Sequence, residues 1–151
     1  MMTSFSQRDP QWGDLCITGT MLKIKDYGCL LCCIADLSTY FGEGFDPIGA
    51  LRRCSFTPEG ELIWAVNSLE DFEFVELIKG RNDDMIKQYL DDPDTAVILG
   101  LYGGRHWVVA CSYFPNTNLY RIADPYNGDK CEIDRYGNQI SYMAFYKRKR
   151  K

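Results

Sequence analysis

Apolar residues recur at spacings of three and four from Leu30 through Ile34 and Leu37 to Phe41. That period lays them along one face of a helix. Gly28 precedes the segment and Gly42 stops it. Asp46-Pro47 is a cap followed by Pro at the first helical position, so a short helix is expected towards Cys54. Thr57-Pro58-Glu59 repeats that start signal and predicts a further helix to about Leu69. Asn82 caps DDMIKQYL, whose first turn carries acidic residues where the helix dipole favours them.

The second half changes period. Phe72 to Ile78 reads as a first strand. Thr95 to Tyr102 is a continuous apolar run of strand length, which predicts a buried strand. Gly103-Gly104 breaks it, and Arg105 to Phe114 reads as the next strand. Pro115 to Asn118 is a turn, and Leu119 to Asp124 returns. Cys131 to Asp134 and Ile140 to Tyr146 are expected to complete a meander. Helices first and antiparallel strands second is an α+β arrangement, with an N-terminal helical half packed on a C-terminal sheet.

Length fits one domain over residues 1–146, followed by a basic tail at 147–151. The tail, KRKRK, hides an acidic body: without it 12 basic side chains face 21 acidic ones. Such a body is unsuited to gripping a phosphate backbone, so nucleic acid is expected only at the tail, if anywhere. The plain reading of the tail is a frayed, solubilising terminus. No apolar run approaches the roughly 20 residues of a membrane span. The N-terminus lacks the basic-then-apolar pattern of a signal peptide, so a cytoplasmic, reducing location and free thiols are expected, in a monomer.

Chemistry enters through the cysteines. Cys29, Cys32 and Cys33 fall within five positions. A zinc site needs a second pair, and the other cysteines are isolated, with one histidine in the whole chain. A redox pair normally follows a strand in a βαβ unit, which the pattern lacks. No metal or cofactor is expected. A nucleophile fits better. Cys29 follows Gly28 and opens a helix, where free amides and the dipole stabilise a thiolate. Gly28 is expected to let the chain turn sharply and bring a substrate close. Cys32 and Cys33 lie one turn inside and read as packing.

His106, the single histidine, sits at the mouth of a buried strand, where an imidazole can take a proton from a thiol. The base needs a group to hold its tautomer, and Asp124 ends the neighbouring strand. Parity tests this. An even loop centred on Asn116-Thr117 pairs Asp124 with Val109, on the wrong face. An odd loop or a bulge is therefore expected between these strands. Gln7 is a neutral amide suited to a developing oxyanion, with Gln11 as the other candidate.

The order of these pieces resembles a known family. SQRDPQW (6–12), YGCLLCCIADLSTYFG (27–42), HWVVACSY (106–113) and YRIADPYNGDK (120–130) are similar to the papain-like cysteine peptidases of the bacteriocin-leader-processing type. The likeness is greatest to their compact, stand-alone bacterial and phage relatives. It implies Cys29 as nucleophile, His106 as base and acid, Asp124 as orienting group and Gln7 as oxyanion donor. It implies a papain-like fold and cleavage of a peptide or isopeptide bond. The substrate would be a polypeptide, or a peptidoglycan cross-link if the domain serves as a lysin. A non-catalytic papain-like scaffold used for binding, or as a virion or host-interaction protein, is the other reading. Relatives carry Thr or Ser at Cys32 and Cys33, and a small or apolar residue near Asp36. Asp36 is expected to face solvent or to bond a neighbouring strand. The transporter regions of the larger relatives have no counterpart here, so a role in peptide export does not carry over. Specificity is expected from the loops at Gly42 to Asp46, Ser55 to Gly60 and Tyr102 to Arg105.

Overall fold

The computed structural model describes residues 2–150; Lys151, the last of the basic run, lies outside them. Three helices come first: α1 (Ile24–Tyr27), α2 (Cys29–Phe41) and α3 (Pro47–Arg53). The Asp46 side chain caps α3 by accepting from the Gly49 amide at 2.9 Å. Gly42 ends α2 in the left-handed region, φ 95°, which an L side chain rarely adopts.

The third helix expected from Thr57 is a hairpin instead, β1 (Cys54–Phe56) and β2 (Leu62–Asn67). Thr57 closes a turn rather than opening a helix. Its hydroxyl accepts from the Glu61 amide at 3.1 Å, and its carbonyl accepts from the Gly60 amide at 2.9 Å. Gly60 takes φ +85° there. Along β2, Leu62 and Trp64 turn inward and Ile63 and Ala65 outward, the alternation of a half-buried strand.

The rest is one antiparallel sheet. Its strands are β3 (Phe72–Lys79), β4 (Thr95–Leu101), β5 (His106–Tyr113), β6 (Tyr120–Asp124), β7 (Asp129–Glu132) and β8 (Tyr142–Arg148). The order is β3-β8-β4-β5-β6-β7, so the last strand inserts between β3 and β4 and the expected meander is not formed. Met143 to Tyr146 explain that position. All four are buried, a pattern that needs cover on both faces. The strand also runs into the basic tail. Lys147 and Arg148 pair with Glu73 and Phe72, so the basic run begins inside the sheet. The expected strand at Cys131 to Asp134 stops early, and Ile133–Tyr136 form a 3₁₀ turn.

Helix α4 (Asp83–Asp91), capped by the Asn82 side chain, follows β3. Period-2 alternation splits the sheet's residues between two cores. Ala96, Ile98, Val109 and Ala144 face the layer of α2; Val97, Leu99, Val108 and Phe145 face the layer of α4. Among the described residues no helix is long and apolar enough to cross a membrane.

Gly28 is needed for a reason the sequence did not suggest. Its φ of −90° is open to any residue. A Cβ there, however, would sit 2.6 Å from the Ile24 carbonyl oxygen and 2.5 Å from its Cγ2. Gly28 thus allows the close approach of the α1–α2 junction to Ile24. Gly28→Ala is expected to destabilise by about 1–3 kcal/mol, because a backbone oxygen cannot rotate away. Urea unfolding should show a lower midpoint at unchanged slope. An unchanged midpoint would contradict this packing.

Candidate active site

Three expected residues meet at one end of the sheet because each terminates an element. Cys29 is the first residue of α2, His106 the first of β5 and Asp124 the last of β6. Antiparallel pairing brings the start of β5 beside the end of β6.

The face is set by a bulge. Tyr113 pairs with Tyr120 and Ser112 with Arg121, a register that would place Asp124 opposite Val109. Between Ala110 and Ser112 the register shifts, and Ala110 pairs with Ile122 and Val109 with Ala123. The extra residue, Cys111, moves Asp124 opposite Val108, two residues from His106 and on its face. The bulge expected from parity is present.

His106 Nε2 lies 2.9 Å from Asp124 Oδ1. Asp124 is fully buried. Burial alone would raise its pKa. Hydrogen bonds from His106, the Tyr136 hydroxyl and the Tyr126 amide overcome this and hold it down to about 2. Asp124 is therefore a carboxylate that only accepts, so Nε2 of His106 carries the proton. Nδ1 is left without a carboxylate, and Cys29 is close enough to act on the ring's charge. Burial would lower the pKa of His106. The bond to Asp124, then the influence of Cys29, outweigh this and push it up to about 9. The imidazolium is the favoured form at neutral pH.

Two residues complete the carboxylate's surroundings, and the sequence reading missed both. Arg135 Nη1 donates to Asp124 Oδ2 at 3.2 Å and bridges to Asp129. The Tyr136 hydroxyl donates to the same oxygen, and its ring lies 5.1 Å from the His106 ring. Both ride on the 3₁₀ turn that replaces the end of the expected strand. Nothing in the local pattern marks them, since only the tertiary fold returns that turn to β6.

Gln7 is buried between two of these segments. Its amide donates to the Pro125 carbonyl at 2.8 Å, and its side-chain Nε2 donates to the Lys25 carbonyl at 2.9 Å. A carbonyl only accepts, so the orientation of the side chain is fixed with nitrogen towards Lys25. The second N–H of Nε2 remains for another acceptor. Gln11 is exposed and bonds Asp9, so the structure does not bring it to the site.

Cys32 and Cys33 are fully buried one turn below Cys29. Burial, then the Asp36 charge, pushes both thiols well above their usual range. They are inert packing, and all seven cysteines are unpaired. Among the described residues the group that could ligate a metal is Asp124, Asp129 and Cys131, whose ligand atoms lie within 4.8 Å. Arg135 already bridges the two carboxylates there.

A cleft of about 640 Å³ opens from Cys29. Leu30 forms one wall, Leu62 and Trp64 of the hairpin another, and Gly104 and Trp107 a third. Its charged lining is Asp26, Glu59 and Glu61 with one cation, Arg105. Two of the loops expected to shape specificity, at Ser55 to Gly60 and Tyr102 to Arg105, contribute to it; Gly42 to Asp46 does not.

No family model matches the sequence, and no curated protein matches it. A solved structure does resemble the fold. It is the peptidase domain of ComA from Streptococcus, a bifunctional ABC transporter involved in a quorum-sensing pathway. The similarity covers 99% of this chain and 100% of that one, with a TM-score of 0.61 at 15% identity. With its helical layer carrying Cys29 and its antiparallel sheet carrying His106 and Asp124, the chain has the papain-like cysteine peptidase fold, in the form seen in that domain.

Proposed function

We propose that the protein is a cysteine peptidase that hydrolyses a peptide or isopeptide bond through a thioester on Cys29. The reading is carried by one arrangement: His106, bonded through Nε2 to a buried, ionised Asp124, lies within electrostatic reach of a cysteine at a helix start that borders an open cleft.

The steps follow from the groups. The Cys29 thiolate adds to the carbonyl carbon, and the carbonyl electrons move to oxygen. The Cys29 amide, first in its helix and without a carbonyl partner within it, donates to that oxyanion beside the free N–H of Gln7. On collapse the carbon–nitrogen bond breaks, and the His106 imidazolium gives its proton to the departing amine. Water, deprotonated by the now neutral imidazole, then cleaves the thioester and returns Cys29 as thiolate. Asp124 keeps the ring oriented through both halves.

The substrate is a polypeptide. The cleft's apolar walls suit a segment with apolar side chains, and its three carboxylates, against the single Arg105, disfavour acidic ones. The test is direct. Wild-type protein and His106→Ala are incubated with a diverse peptide mixture, and new termini are mapped by mass spectrometry. Wild type should create new termini within apolar, non-acidic segments, and His106→Ala should lose at least about 10³-fold of the rate. Equal background from both would overturn the proposal.

A further inference from the structure

Asp36 is a puzzle the proposed chemistry leaves unexplained. It is fully buried in α2, seven residues and about two turns beyond Cys29, on the same helix face. Its Oδ1 accepts from the Phe5 amide at 2.9 Å and from the Thr3 hydroxyl at 3.1 Å. The Thr3 hydroxyl also lies 2.6 Å from that of Thr39, one turn further along α2. The other carboxyl oxygen, Oδ2, is buried with no hydrogen-bond partner. Asp36 thus neither faces solvent nor hydrogen-bonds a strand of the sheet. It bonds an extended segment at the N-terminus.

That segment leads directly to Gln7. Around Phe5 the chain lies along the β6–β7 connection: the Ser4 hydroxyl donates to the Asp129 carbonyl at the start of β7, and the Gln7 amide to that of Pro125 just after β6. One strap therefore joins α2 to the end of β6, and the Gln7 side chain hangs from it. We propose that Asp36 is a positioning residue, a clasp that holds this strap on α2 and thereby sets Gln7 in reach of an oxyanion at Cys29. The inference rests on the peptidase reading.

The carboxyl's chemistry suits a clasp. Burial raises its pKa, and the bonds from Phe5 and Thr3, with the charge of Lys130 on β7, only partly offset this, leaving it at about 8. The thiols nearby, Cys32 and Cys33 on α2 and Cys111 in the bulge, are themselves pushed up and stay neutral. At neutral pH the clasp is an uncharged acid that accepts two bonds. Asparagine reproduces that shape and its acceptor oxygen.

Two probes at pH 7 separate positioning from mere structure. A tripeptide aldehyde with leucine side chains forms a hemithioacetal whose oxygen needs the oxyanion donors. Iodoacetamide reports the Cys29 thiolate alone. Gln7→Ala should weaken the aldehyde by about 10²-fold. Asp36→Ala should weaken it by at least about tenfold while alkylation of Cys29 stays within about twofold, and Asp36→Asn should stay within about threefold of wild type. If Asp36 acts through Gln7, adding Asp36→Ala to Gln7→Ala should change nothing further. Should Asp36→Ala not fold, Thr3→Val carries the same comparison, with a loss of about threefold that vanishes in Gln7→Ala. Wild-type affinity in Asp36→Ala, or full additivity with Gln7→Ala, would overturn the clasp alone. A wild-type protein that binds no aldehyde would overturn the peptidase reading and the clasp with it.

Discussion

Replacing Cys29 by alanine should abolish cleavage of every peptide that the wild-type protein cuts, a loss of at least about 10⁴-fold. The magnitude follows from the chemistry. No other nucleophile is positioned to make the thioester, since Cys32 and Cys33 are fully buried and held protonated. The fold should survive. Cys29 is a small side chain, 7% exposed, and its removal costs on the order of 1 kcal/mol. Alkylation of this position by iodoacetamide in the native protein should vanish with it. Cys32 and Cys33 should remain unlabelled in both proteins until they are unfolded. Residual turnover in Cys29→Ala, or equal labelling of the three cysteines in the native protein, would contradict the assignment.

Asp124→Asn should have the second largest effect, because it acts on both activity and stability. The carboxylate accepts from four groups: His106, the Tyr126 amide, Arg135 and Tyr136. Asparagine keeps the volume but presents one NH₂ where an acceptor stood. Either the Arg135 and Tyr136 donors or the His106 N–H then meets another donor. Activity should fall by about 10³–10⁴-fold through loss of the tautomer. Breaking the buried pair should cost about 3 kcal/mol, read by urea unfolding. The pH dependence has a definite sign. The folded pKa of Asp124 is depressed, so its stabilisation is present above about 4 and is lost as pH falls through about 2. Asp124→Asn should lack that acid-side loss. An active, equally stable variant would remove Asp124 from the unit.

The parts legible in the sequence were those fixed by local chemistry. Cys29 was visible because a 3.6 period begins beside it, and His106 because it is the single histidine at a strand start. Asp124 needed one further step, the parity argument, and the bulge at Cys111 satisfies it. What stayed hidden depends on contacts distant in sequence. Thr57-Pro58-Glu59 carries the letters of a helix start, but Gly60 and the alternation of β2 make a hairpin whose Trp64 packs on Trp107. The place of β8 between β3 and β4 is a pairing choice that a run of apolar residues does not specify. Arg135 and Tyr136 reach Asp124 only through a tertiary return of the chain. Asp36 read as facing solvent or bonding a strand because its partners, Thr3 and Phe5, lie more than 30 positions away.

The central claim is that Cys29, His106 and Asp124 act as one charge-coupled unit. His106 is the chain's single histidine, so its ring signals in an NMR titration need no assignment by mutation. In the wild-type protein they should titrate near pH 9, held there by Asp124 and Cys29. In Cys29→Ala the transition should move down, since one of the two raising influences is gone. A wild-type His106 that titrates at the ordinary value of about 6.5, unchanged by Cys29→Ala, would contradict the account.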